Sequence, residues 1–131
     1  MARRLTHLNP KTTLFLMIDI QEKFRSAMIL FDRFVENTRR LVRQRKYVLN
    51  GWKFSWNFLF KCAACKIFNI PLLVTEQNPT KLGKTVKELD IVHAKAVVPK
   101  TVFNVMIPQI ECEIQKLFDN GKPCDVIVVG V

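Results

Sequence analysis

Acidic residues are scarce in this chain of 131 residues: 11 Asp and Glu stand against 21 Lys and Arg, a formal charge of +10. Four glycines exclude a collagen-like repeat, and four cysteines are too few for the disulfide framework of a small secreted domain. No apolar run reaches the roughly 18–20 residues of a membrane span. The run from Leu14 to Ile18 is interrupted by Asp19, too early for the core of a secretory signal behind the basic start Met1-Ala2-Arg3-Arg4. The final Val-Ile-Val-Val-Gly-Val carries no lipidation or retention signal. A reducing, cytoplasmic setting is therefore expected, with Cys62, Cys65, Cys112 and Cys124 as free thiols. The 49% hydrophobic and 24% charged content is that of a folded domain, or of a fragment of one.

The basic charge is unevenly spread. Residues 43–62 hold Arg43, Arg45, Lys46, Lys53 and Lys61 without an acid, together with Tyr47, both tryptophans and three phenylalanines. Half of the net charge thus comes from twenty residues. The basic pI is partly a local property, and no specific nucleic-acid partner is expected from it.

Elsewhere the pattern is regular. Thr13–Asp19 reads as a buried strand ending in a carboxylate, and Ile70–Thr75 as a second. Ala96–Val98 is a short third strand stopped by Pro99, and Asp125–Val131 a fourth. Asp32 is a candidate N-cap for a helix with Phe31, Phe34, Val35 and Thr38 at helical spacing. A second helix is expected from about Asn104 to Asn120, with Ile107, Ile110, Ile114, Leu117 and Phe118 on one face. Apolar strands alternating with amphipathic helices predict an α/β fold with a parallel sheet covered on both faces. Ligand chemistry in such sheets gathers at the carboxyl ends of the strands. Those ends hold Asp19, Thr75-Glu76-Gln77 and Pro99-Lys100-Thr101. A lysine ammonium there can stabilise developing negative charge. A structural ion pair is the alternative reading of the same residues.

Three segments in this order carry a resemblance: Met17-Ile-Asp-Ile-Gln-Glu-Lys-Phe24, Asn69-Ile-Pro-Leu-Leu-Val-Thr-Glu-Gln77 and Val98-Pro-Lys-Thr-Val-Phe103. With Leu82-Gly83 and Val86-Lys-Glu-Leu89 between them, the chain resembles the isochorismatase-like hydrolase superfamily, and within it the eukaryotic isochorismatase domain-containing proteins. The resemblance implies a three-layer αβα, Rossmann-like fold, incomplete here, with about four of about six strands and the first strand between the second and the last. It implies Asp19 as catalytic acid/base and Lys100 as the catalytic lysine. It also implies Gln21, Phe24, Glu76, Gln77 and Phe103 as substrate-contacting residues, Glu76 and Gln77 having loop bracing as their alternative role. In cysteine-using members a thiolate attacks an amide-like carbonyl, the Asp handles the thiol proton, and the Lys favours the thiolate. Isochorismate hydrolysis proper needs an acid that protonates a vinyl ether.

The chain departs from that pattern in three places. The family cysteine follows the strand that here ends at Val131, and none of the four cysteines matches it. A truncated, inactive form is the expectation. Metal-using relatives such as nicotinamidases place an Asp and a His where this chain reads Thr75-Glu76-Gln77-Asn78-Pro79, so no metal and no cofactor is expected. His7 and His93 are isolated in sequence and are read as ordinary surface or core residues. Residues 43–62 look like an insertion, since joining Arg40-Leu-Val42 to Ala63-Ala-Cys-Lys-Ile-Phe68 restores one continuous helix. The partners expected are a small-molecule substrate in complete relatives, and a second copy or another protein at an exposed sheet edge after the fourth strand. That edge also makes an interaction form without catalysis the second functional reading.

Overall fold

A computed structural model describes residues 9–42 and 69–131. The insertion-like stretch 43–62, Cys62, Cys65 and His7 lie outside the described residues. Four strands, β1 (Thr13–Ile18), β2 (Leu72–Gln77), β3 (Ala96–Lys100) and β4 (Asp125–Gly130), form one sheet in the order β3-β2-β1-β4. All three pairings are parallel, with Phe15 opposite both Leu72 and Ile127. β1 thus lies between the second and the last strand. Among the described residues the two main helices are α1 (Phe31–Val42) and α2 (Pro108–Leu117), alongside a short 3-10 helix (Glu22–Ser26) and a single helical turn (Pro79–Leu82).

Strand alternation sends successive side chains to opposite faces, and here both faces are covered. Phe15, Met17, Leu72 and Val74 pack with Phe31 and Val35 of α1. Leu14, Leu16, Leu73 and Val98 pack with Ile107, Ile110, Ile114 and Phe118 on the other face. Each such buried apolar side chain contributes roughly 1.5–3 kcal/mol relative to exposure. This two-sided burial explains why residues 14–18 of β1 and 72–74 of β2 are continuous apolar runs rather than alternating ones.

Several expected boundaries shift, each for a local reason. β1 stops at Ile18 because Asp19 adopts a left-handed backbone, φ 51°. β2 begins at Leu72 and continues through Glu76 and Gln77, whose polar side chains find partners inside the protein. Pro99 does not stop β3 but sits within it. Lys100 turns its carbonyl toward β2, accepting from Asn78 N at 2.7 Å, so its neighbour Pro99 directs its backbone away from the sheet. On an edge strand that position needs no donor. Asp32 falls in the first turn of a helix that begins at Phe31, and its carboxylate pairs with Arg25. Asn104 folds into a local turn, accepting from Met106 N at 3.0 Å, and α2 starts only at Pro108, where a missing N–H costs nothing. α2 ends at Leu117, and β4 ends one residue before Val131.

Candidate functional site

The carboxyl ends of β1, β2 and β3 meet around one ion pair. Lys100 Nζ lies 2.6 Å from Asp19 Oδ2, with the two side chains 1% and 12% exposed. β1 and β3 are not neighbours; the lysine reaches across the end of β2. Strand period places Leu73, Thr75 and Gln77 on the same face of β2, and Val98 and Lys100 on the matching face of β3. Asp19, one residue beyond Ile18, would point to the opposite face if β1 simply continued. Its left-handed φ ends the strand and brings the carboxylate to Thr75 and Lys100. Asp is among the few non-glycine residues that enter this region at modest cost. Asn78, directly after β2, is also left-handed, φ 37°.

The polar contacts of the pair are few and specific. Thr75 Oγ1 donates to Asp19 Oδ1 at 2.8 Å. Lys100 Nζ also donates to Gln77 Oε1 at 2.8 Å and toward the Val102 carbonyl at 3.4 Å. All three ammonium protons therefore have acceptors. A carboxylate offers about four acceptor positions, and Thr75 and Lys100 use two of those on Asp19. The remaining lone pairs lie on the more exposed partner of the pair.

The other residues singled out in the sequence have distinct placements. Gln21 is fully buried; its Nε2 donates to the Gln77 and Gly83 carbonyls and its Oε1 accepts from Gln77 N at 2.8 Å. It braces the end of β2 and leaves no amide proton for a ligand. Glu76 is buried on the opposite face from Lys100 and accepts from both Thr85 N and Thr85 Oγ1 at 2.8 Å, which ties down the loop after the Pro79–Leu82 turn. Phe24 is half-buried against the α1-side core. Phe103 is 94% exposed on the loop following Lys100. A cleft of about 550 Å³ opens beside Lys100, walled by Asn78, Pro79, Thr80, Val102 and Ile107 among others; Asp19 is not among its walls. In the sequence Thr75 marks the end of a strand and carries no role of its own, although its spacing of two from Gln77 puts both on one face. Among the described residues no three His, Cys, Asp or Glu side chains converge as metal ligands. Cys112 is exposed on α2, and Cys124 is exposed before the amino end of β4, the end of the sheet away from Asp19.

No protein-family model matches the chain. It is 33% identical over 113 residues to isochorismatase domain-containing protein 1 from Danio rerio, covering 86% of this chain and 33% of that protein. It is 32% identical over 126 residues to isochorismatase domain-containing protein 2 from the same fish, covering 95% and 51%. Among solved structures, the MAR1 ribonuclease from Caenorhabditis elegans superposes with a TM-score of 0.68 at 30% identity, covering 94% of this chain and 52% of that one. The chain thus spans about a third to a half of the length of the curated relatives it matches. Sequence likeness along most of its length and the parallel sheet with its order β3-β2-β1-β4 agree: this chain has an isochorismatase-like α/β fold and is similar to the isochorismatase domain-containing proteins.

Proposed function

We propose that this chain carries the acid–lysine part of an isochorismatase-like hydrolytic site acting on a small molecule, with Asp19 as the proton-handling group and Lys100 as its cationic partner. The observation that carries this reading is the 2.6 Å pair itself, buried at the carboxyl ends of the strands. Buried ion pairs contribute little to stability relative to apolar replacements, so a pair held here by a left-handed Asp fits a chemical role better than a scaffolding one. The thiol of cysteine-using relatives has no counterpart beside Asp19 among the described residues. Little or no turnover by this chain follows.

The test is turnover of amide, vinyl-ether and short RNA substrates by the purified chain, RNA being included because the nematode relative is named a ribonuclease. The expected result is a rate at or near background. Turnover abolished by Asp19→Asn would overturn inactivity while supporting the role of Asp19. Turnover indifferent to Asp19→Asn and Lys100→Met would remove the site.

A second reading, a non-catalytic form that binds another protein or a second copy, is favoured by β4. Asp125 N and Val131 N point to β1, so the backbones of Val126, Val128 and Gly130 face outward. Val126 and Val128 are 48% and 58% exposed. The opposite edge, β3, carries Pro99, whereas the exposed face of β4 holds neither proline nor charge, the usual guards against strand addition. Self-association through this edge predicts that Val128→Lys shifts the protein to smaller species in sedimentation velocity. An unchanged size distribution would argue against β4 as the contact.

A further inference from the structure

We propose that Gln77 is a positioning residue: its amide oxygen fixes the Lys100 ammonium on Asp19, and so sets the carboxylate on which the proposed chemistry turns. This rests on the hydrolytic reading of the Asp19–Lys100 pair. Substrate contact through that oxygen is disfavoured, because Lys100 Nζ already occupies it at 2.8 Å.

Lysine reaches its partner on a four-carbon stem and presents a freely rotating point charge. One acceptor fixes neither the rotation nor the swing of such a group. Here Asp19 Oδ2 and Gln77 Oε1 take two protons at 2.6 and 2.8 Å, while the Val102 carbonyl is a weaker third at 3.4 Å. Gln77 is therefore the second strong anchor. Its own freedom is removed from three sides. Its Nε2 donates to the Thr101 carbonyl at 3.0 Å, which also fixes which end of the amide faces Lys100. Its backbone N–H donates to Gln21 Oε1 at 2.8 Å, and its carbonyl accepts from Gln21 Nε2 at 2.9 Å. Gln21 is wholly buried. The result is a chain of contacts, Gln21 to Gln77 to Lys100 to Asp19, that crosses from the segment after β1 through β2 to β3 and returns to the end of β1. With its two strong anchors filled, Lys100 has no well-placed proton left for a ligand. It acts on the site by orienting Asp19.

Trace acylation with acetic anhydride, read lysine by lysine by mass spectrometry, tests this on the chain itself without requiring turnover. Lys81 is exposed on the Pro79–Leu82 turn and serves as the internal reference. In the native protein Lys100 should be strongly protected relative to Lys81. Gln77→Leu should raise the Lys100/Lys81 ratio about tenfold or more, the scale of one lost hydrogen bond to a charged group. Gln77→Glu keeps an oxygen at the same place and should restore protection. A residue serving only to hold the strand together would change the unfolding midpoint without selectively exposing Lys100. Protection unchanged in Gln77→Leu would overturn the positioning role. Asp19→Asn separates the two ideas: if it frees Lys100 and Gln77→Leu does not, the pair stands and the role of Gln77 falls. If neither substitution frees Lys100, the pair underlying the proposed function is itself absent. Should the leucine variant unfold, making every lysine as reactive as Lys81, the glutamate variant decides alone: Lys100 protected supports the proposal, and Lys100 exposed overturns it.

Discussion

Lys100→Met should destabilise the protein by about 3–5 kcal/mol, the cost of leaving one member of a buried ion pair without its partner. The Asp19 carboxylate would keep only its bond from Thr75 Oγ1 at 2.8 Å, in a site where its side chain is 12% exposed. The double variant Asp19→Asn/Lys100→Met should recover most of that loss. Asparagine keeps the left-handed backbone that position 19 requires while removing the charge. Urea midpoints of the two single variants and the double variant check this. A loss below about 1 kcal/mol for Lys100→Met would mean that water reaches the carboxylate freely. A double variant no better than the single one would mean that the methionine itself, rather than the stranded charge, is what the fold rejects.

Gly130→Ala should be nearly as damaging, through shape instead of charge. Gly130 pairs with Ile18, and a Cβ built on it would sit 2.6 Å from both the Cβ and the carbonyl oxygen of Ile18. Neither is the far end of a flexible side chain. β1 and β4 must separate locally, at a cost of about 1–3 kcal/mol or more. The displaced carbonyl belongs to the residue that precedes Asp19, so the strain should reach the ion pair as well. Gly121→Ala is the control. Its φ of 68° is unfavourable for alanine, but the added Cβ meets nothing closer than Gln115 Cγ at 4.0 Å. Guanidinium midpoints should fall further for Gly130→Ala than for Gly121→Ala. The reverse order would show that β4 slides outward without resistance, as an edge strand with a weak hold on β1.

Much of the fold was legible because two-sided burial leaves a plain mark: the runs around Phe15 and Leu73 are apolar at every position. The family resemblance supplied the place of β1, which periodicity alone does not give. Asp19 and Lys100 were visible as charged residues terminating apolar runs. What was not legible depended on partners distant in sequence. Glu76 and Gln77 look like loop residues, since polar side chains ordinarily leave a buried strand; here Thr85 and Lys100 satisfy them and β2 runs on. Pro99 reads as a stop unless β3 is known to be an edge. Gln21 belongs to a recognisable motif, yet its work as a brace shows only once its contacts with Gln77, 56 residues away, are seen. Asn104 has the right chemistry for a cap, but its side chain turns onto Met106 instead.

The position of the ion pair also bears on the order in which the chain folds. Asp19 and Lys100 are 81 residues apart, and their strands are separated by β2. Contacts so distant along the chain carry the loop-closure entropy of everything between them, and such contacts slow folding. Lys100 finds Asp19 only when β3 is already seated against β2 and β2 against β1. The pair is therefore not a nucleus around which the sheet assembles. It is a late checkpoint, made only when three strands are in register, and the protection of Lys100 expected in the acylation experiment would double as a chemical signature of the fully folded chain.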